Sequence, residues 1–208
     1  KIAKLHTGRY ADCALTTDAV VACWGTNFTG LFGDGNPASG TVRLPTAVST
    51  SGALAGKVVK DIALGDSVLC VLTTEPKVYC SGSELVLGSS VPGGSTSMVP
   101  VDTTGVLAGK TVASIWADGG YTVCAVVTTG EGFCWGYNQY GQLGTGATSG
   151  WEVLPKAVLA PFVGAKWLKF SPGTYSTCGL TTTKVAYCWG WNANRQLGDG
   201  TQTDRYSP

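Results

Sequence analysis

"CALTTDAVVAC", residues 13–23, decides the fold of this 208-residue chain. Two β-prone arms flank a polar Thr/Asp centre, and a cysteine closes each end. A stretch of this kind reads as a β-hairpin. It returns as "CVLTTEPKVYC" (70–80), "CAVVTTGEGFC" (124–134) and "CGLTTTKVAYC" (178–188). These hairpins use all 8 cysteines, and successive first cysteines (13, 70, 124 and 178) are 57, 54 and 54 residues apart. Cys13 and Cys23 are symmetric about the turn at Asp18. They therefore face each other across the hairpin, where a non-hydrogen-bonded antiparallel pair brings Cα atoms to about 4.5 Å, within disulfide range. The predicted pairs are Cys13–Cys23, Cys70–Cys80, Cys124–Cys134 and Cys178–Cys188. Closing each loop contributes roughly 2.5–3 kcal/mol in the chain-entropy model. Zinc is the rival reading, but C-x9-C lacks the short CxxC knuckle of structural zinc sites. Eight free thiols would leave the strict pairing without a cause. One staple per hairpin implies an oxidising compartment, hence a secreted or extracellular location.

Outward from each hairpin the repetition continues. Gly8, Gly65, Gly119 and Gly173 each stand five residues before a first cysteine, and an alternating apolar stretch such as "VKDIAL" precedes them. A Gly-rich loop follows each hairpin, and then a proline (Pro45, Pro100, Pro155, Pro208) opens another extended stretch. Repeat units of 1–44, 45–99, 100–154 and 155–208 result, each with about four short strands and no sustained apolar period of 3.6. The fold class is all-β: four β-propeller blades of four antiparallel strands in a single partial propeller.

The loops after the hairpins carry a family likeness. "CALTTDAVVACWGTNFTGLFGDGN", "CWGYNQYGQLGTG" and "CWGWNANRQLGDGT" resemble the regulator of chromosome condensation repeat, whose blades end in W-G followed by N-x-x-G-Q-L-G. The cysteine-paired form is similar to the secreted members of that family. The second unit departs from the pattern: "CSGSELVLGSS" has Ser81 where the others have Trp24, Trp135 and Trp189, and it lacks the asparagine, which puts a loop-borne function there in doubt. The resemblance implies a ring of about seven blades and a protein-binding platform, a role that includes an exchange factor and a secreted enzyme inhibitor. Four units are too few for that ring. The expectation is a piece of a larger propeller, or a ring completed by another chain, with a protein partner or a second copy covering the open blade edges.

Little in the chain points to chemistry. Charged residues are 13% of the total and the net charge is +1, which argues against nucleic-acid binding by phosphate neutralisation. No apolar run approaches a membrane span. "GDSVL" (65–69) resembles the surroundings of a nucleophilic serine, yet His6 is the single histidine and Gly65 is merely the recurring glycine. "GDGN" (33–36) and "GDGT" (198–201) offer one aspartate each, which suits Asx turns better than calcium. No cofactor, metal or catalytic residue is expected. Trp24, Trp135 and Trp189 recur in register and are read as packing between blades rather than as sugar platforms. Phe28, Tyr137, Tyr140, Trp151, Trp191 and Tyr206 fall in loops without recurring; the first five, with Asn192 and Arg195, are the binding candidates. "NFT" makes Asn27 a glycosylation acceptor, which would place it on a loop surface. The functional expectation is a non-enzymatic extracellular module for protein–protein binding or assembly of an extracellular structure. The alternative is a glycan-binding, lectin-like propeller using the aromatic loops with Asn, Gln and Asp side chains.

Overall fold

The computed structural model describes residues 1–36, 40–118 and 120–208; the recurring Gly119 lies outside the described residues. The chain forms four antiparallel sheets, each a meander in sequence order. The first holds β1 (Ile2–Thr7), β2 (Ala11–Thr16), β3 (Val21–Thr26) and β4 (Thr41–Ala47). The second holds β5 (Val59–Leu64), β6 (Val68–Thr73), β7 (Val78–Gly82) and β8 (Ser95–Pro100). The third holds β9 (Val112–Trp116), β10 (Thr122–Val127), β11 (Gly132–Tyr137) and β12 (Trp151–Ala157). The fourth holds β13 (Trp167–Pro172), β14 (Ser176–Thr181) and β15 (Ala186–Gly190). This last sheet has three strands rather than the expected four, and an antiparallel bridge between Gly190 and Arg205 continues it.

The first strands of successive sheets lie against one another, so the sheets stack as propeller blades. Pro45, Pro100 and Pro155 stand within or at the end of β4, β8 and β12. The proline-marked stretch therefore completes the sheet of the preceding hairpin. As the last strand of each sheet it is also the place where a residue without an N–H donor is tolerated.

Blades stack because their strands are apolar on both faces. In β6, Leu69 and Val71 enter the core shared with the first blade, while Val68, Cys70 and Leu72 enter the core shared with the third. β10 repeats this division, with Val123 and Ala125 on one side and Cys124 and Val126 on the other. Sheets buried on both faces lose the apolar–polar alternation of a half-exposed strand. The disulfides join directly paired residues: Cys13–Cys23, Cys70–Cys80, Cys124–Cys134 and Cys178–Cys188, each with Cα atoms 4.1 Å apart.

A second contact locks neighbouring blades. The Trp135 indole is fully buried and donates its N–H to the Val86 carbonyl, 2.9 Å away, in the loop of the preceding blade. Trp189 donates in the same way to Gln142 O at 2.9 Å. In the second unit the substituting Ser81 hydroxyl donates to Leu31 O at 2.8 Å. The loops accept the indole only because glycine lies beneath it. Gly144 has φ +71°, and a Cβ there would stand 2.6 Å from Trp189 Nε1. Trp24 occupies the same register but is half-buried, and its indole makes no hydrogen bond among the described residues, so packing between blades describes Trp135 and Trp189 and not Trp24.

Two outcomes are expected. Trp135→Ala should cost about 3–5 kcal/mol, the range for a large buried aromatic, and a shifted midpoint in chemical denaturation would show it. The cysteines of the first three disulfides are 0% exposed, whereas Cys178 and Cys188 are half-buried. Mild reductant on the folded 208-residue chain should therefore release two thiols, and the other six only with denaturant; thiol titration against denaturant concentration checks this.

Candidate functional site

In an antiparallel meander, the turn between the first and second strands and the loop after the third emerge at the same end of a blade. Aromatic side chains collect at that end. Trp151 lies 5.9 Å from Tyr121 and 4.9 Å from Tyr137 between ring centroids. The series continues from Tyr137 to Tyr175 at 6.1 Å, from Tyr175 to Tyr140 at 5.3 Å, and from Tyr140 to Trp191 at 5.9 Å. Rings at these separations, mostly edge-to-face or tilted, support one another by about 0.5–1.5 kcal/mol per pair beyond their burial. The array is thus held in place without a ligand. Burial, followed by the nearby Tyr140 and Tyr175 hydroxyls, raises the Tyr137 pKa.

The structure brings together four of the loop candidates, Tyr137, Tyr140, Trp151 and Trp191, and adds Tyr121 and Tyr175. A sequence signal for those two exists: Tyr10, Tyr121 and Tyr175 each stand three residues before a first cysteine. In the second unit that place is Ser67. The position after the recurring Gly25, Gly82, Gly136 and Gly190 is likewise small in that unit, Ser83, where the third and fourth carry Tyr137 and Trp191. Two missing rings leave a depression above the second blade.

Two adjoining cavities occupy this depression. One, about 420 Å³, lies against Tyr10, Phe28, Asp66 and Tyr121; the other, about 520 Å³, lies against Ser83, Tyr137, Trp151 and Tyr175. Thr29, Ser67 and Tyr121 line both, so the two form one groove. Phe28, 71% exposed, stands at one end as the fifth loop candidate.

Among the described residues Asp66 is the only charged one lining these two cavities, while Glu84 lines a third that shares Phe28, Thr29 and Ser83 with them. Both its carboxylate oxygens are shielded from water, and the Arg9 main-chain N–H approaches them without completing a well-formed hydrogen bond. Burial raises its pKa above the ordinary 3.8; the charge and main chain of Arg9 oppose the shift less strongly. The Arg9 guanidinium lies 5.0 Å from the Tyr10 ring centroid, and no ion pair joins Arg9 to Asp66 among the described residues.

The polar candidates serve the loops themselves. Asn192 is fully buried: its Oδ1 accepts the Leu197 N–H at 3.0 Å, and its Nδ2 donates to Asp199 Oδ1 and to the Thr201 and Thr203 carbonyls, each at 3.1 Å. Asn138 does the same work one blade earlier. Asn27 belongs to this set. It is 0% exposed and accepts the Phe32 N–H at 3.0 Å, so the sequon amide is not at the loop surface expected of a glycan acceptor. Arg195 is exposed and lies apart from the groove lining, at φ 61°, where the equivalent positions are Gly30 and Gly141. Asp34 and Asp199 accept the N–H two residues on, from Asn36 and Thr201, in Asx turns, and the Thr201 bonds hold the Asp199 carboxyl well below its ordinary pKa. Among the described residues, no group of three or more His, Cys, Asp or Glu side chains is placed to hold a metal.

A family model for the regulator of chromosome condensation (RCC1) repeat matches residues 129–180, which run from the turn of the third hairpin into the fourth. The E3 ubiquitin-protein ligase HERC2 of Mus musculus is 29% identical over 204 residues, 95% of this chain. The chain thus carries a match to the RCC1 repeat at residues 129–180. The ultraviolet-B receptor UVR8 of Arabidopsis thaliana is 29% identical over 207 residues, or 98% of this chain. The chain spans 4% of the length of HERC2 and 43% of that of UVR8. Human WBSCR16 superimposes on the whole chain with a TM-score of 0.85 at 22% identity, the chain covering 52% of that structure. Prp20p of Saccharomyces cerevisiae does so at 0.79 and 18%, with 50% covered.

Asp66 has a measurable signature in this propeller. A carboxyl whose folded pKa is raised binds its proton more tightly when folded, so stability is lost as pH rises from the ordinary value through the folded one. Asp66→Asn should therefore be more stable than the parent at pH 7, with the advantage shrinking towards pH 4. Paired denaturation curves at the two pH values check this.

Proposed function

We propose that this chain is a non-enzymatic protein-binding module of an oxidising, extracellular compartment and that it docks its partner in the groove above the second blade. One observation carries the reading: Ser67 and Ser83 stand where sister units carry aromatic rings, and the depression they leave is walled by rings from both neighbouring blades. Exposed Tyr and Trp on a rigid frame are the residue types that dominate protein interfaces. The four disulfides favour the compartment. No helix among the described residues is long and apolar enough to cross a membrane. Solved relatives of this fold are described in complexes with proteins, such as Kap60 bound to yeast RCC1 (Prp20). Assembly with a second copy through the blade edges is compatible with docking at the groove.

The glycan alternative is less well supported by the site. Sugar hydroxyls need planar polar side chains such as Asn, Gln or Asp beside the aromatic platform, and among the described residues the groove lining offers only Asp66, whose carboxylate oxygens are shielded. Asn192 and Gln142, the nearby amides, are fully buried and spend their hydrogen bonds within the loops. The test pairs two arrays with one variant. The labelled chain is expected to bind members of an extracellular-domain protein array and to leave a glycan array blank. Ser83→Tyr, which restores a residue carried by a sister unit, should refill the groove and abolish that binding with the fold unchanged by circular dichroism. Glycan binding, or protein binding indifferent to Ser83→Tyr, would overturn the proposal.

A further inference from the structure

We propose that a second copy of the chain docks head to tail on the first, the open face of the first blade of one copy closing on the fourth-blade loop of the other. The chain itself contains three finished seams between blades, and all three join the same parts. A side chain from the later blade's third strand, Ser81, Trp135 or Trp189, donates to a carbonyl in the earlier blade's loop, that of Leu31, Val86 or Gln142. Two residues beyond those carbonyls stand Gly33, Gly88 and Gly144, where a Cβ would lie 2.6–3.0 Å from the incoming side chain. A seam thus needs a donor on one side and a carbonyl beside a glycine cradle on the other.

The first and fourth blades each carry one unmatched half of such a seam. On the first blade, Leu5 pairs with Ala14 in the register in which Ile62, Ile115 and Phe170 pair with Val71, Ala125 and Gly179. Those three are buried against the blade before them, whereas Leu5 is 60% exposed. Ile2 repeats the contrast, being 60% exposed where Val59, Val112 and Trp167 are buried. Trp24 stands in the register of Trp135 and Trp189, with its indole N–H unpaired among the described residues. On the fourth blade, Gln196 and Gly198 hold the places of Gln142 and Gly144, and both are exposed. A Cβ on Gly198 would meet nothing within 4 Å. Leu197 between them is half-buried, where Phe32, Leu87 and Leu143 are 0% exposed. One face therefore offers a donor and two apolar side chains, and the other a carbonyl and an open cradle. A second copy carries both halves, and because they differ the contact is heterologous. None of these residues lines the groove, so the inference stands apart from docking there.

Sedimentation velocity over a concentration series of the 208-residue chain tests this. The average mass should rise above that of one copy as concentration increases; a single-copy species up to the solubility limit would overturn the proposal. Leu5→Asp and Gly198→Asn alter residues that a lone copy leaves open, and asparagine tolerates the φ of +71° at Gly198. Each should weaken association at least about tenfold with an unchanged denaturation midpoint. Association indifferent to both would overturn the seam. Mixed together, the two variants still own one intact half of opposite kind, and they should form a one-to-one pair that grows no further. Failure of the mixture to pair, where the unmodified chain associates, would overturn the head-to-tail arrangement. Trp24→Phe, which removes the N–H and keeps an aromatic ring, should weaken association by about tenfold; an unchanged affinity would overturn the indole–carbonyl contact.

Discussion

An indole N–H reaching into the loop of the preceding blade is the contact on which the rest of the structure depends. A single meander of short strands cannot shield two apolar faces, so each blade is stable only against its neighbours. Trp135 and Trp189 do more than fill that interface. By donating to Val86 O and Gln142 O they fix the height and tilt of the loop before them. The loop in turn offers the platform for the next aromatic side chain. Blade packing, loop shape and the surface at the loop end are therefore one mechanical system. The disulfides act at right angles to it, holding each hairpin within its own sheet.

The second blade shows what happens when that system is relaxed. Ser81 keeps the hydrogen bond to the preceding loop but gives up the volume of an indole, and Met98 and Phe32 lie in the core it leaves. The loss of W-G-x-N wording in this unit puts loop-borne function in doubt when the chain is read as a string. In three dimensions the departure has the opposite consequence. Without rings at Ser67 and Ser83 the second blade becomes the floor of a groove, and its neighbours' intact rings become the walls.

The sequence made the architecture legible because cysteine spacing, turn position and strand alternation are local properties, and repetition reports them four times. What escaped it required knowing which residues of different units meet. Tyr121 and Tyr175 sit in strand-leading turns and recur, so they look architectural; only the stacking of blades places them beside Tyr137 and Trp151. Asn27 and Asn192 misled in the other direction. A polar residue in a loop suggests surface, yet both are buried and tie the loop to itself. The phase of the sheets was also hidden, since a proline marks an extended stretch equally well at the start of one blade and at the end of another.

Asp66 carries this reasoning furthest. Among its repeat equivalents it alone is an acid. Burial works against its ionised form, and the charge and main chain of Arg9 offset that only in part. A core position chosen for stability would carry an apolar or neutral side chain there, as Gly120 and Thr174 do in their units. An unfavourable charge persists in a rigid scaffold only where the rest of the structure is stable enough to hold it. Four disulfides and the indole locks provide that reserve. The stiffness of the propeller and the cost concentrated at Asp66 are thus two sides of one arrangement, in which a stable frame tolerates a shielded carboxylate that the sister units lack.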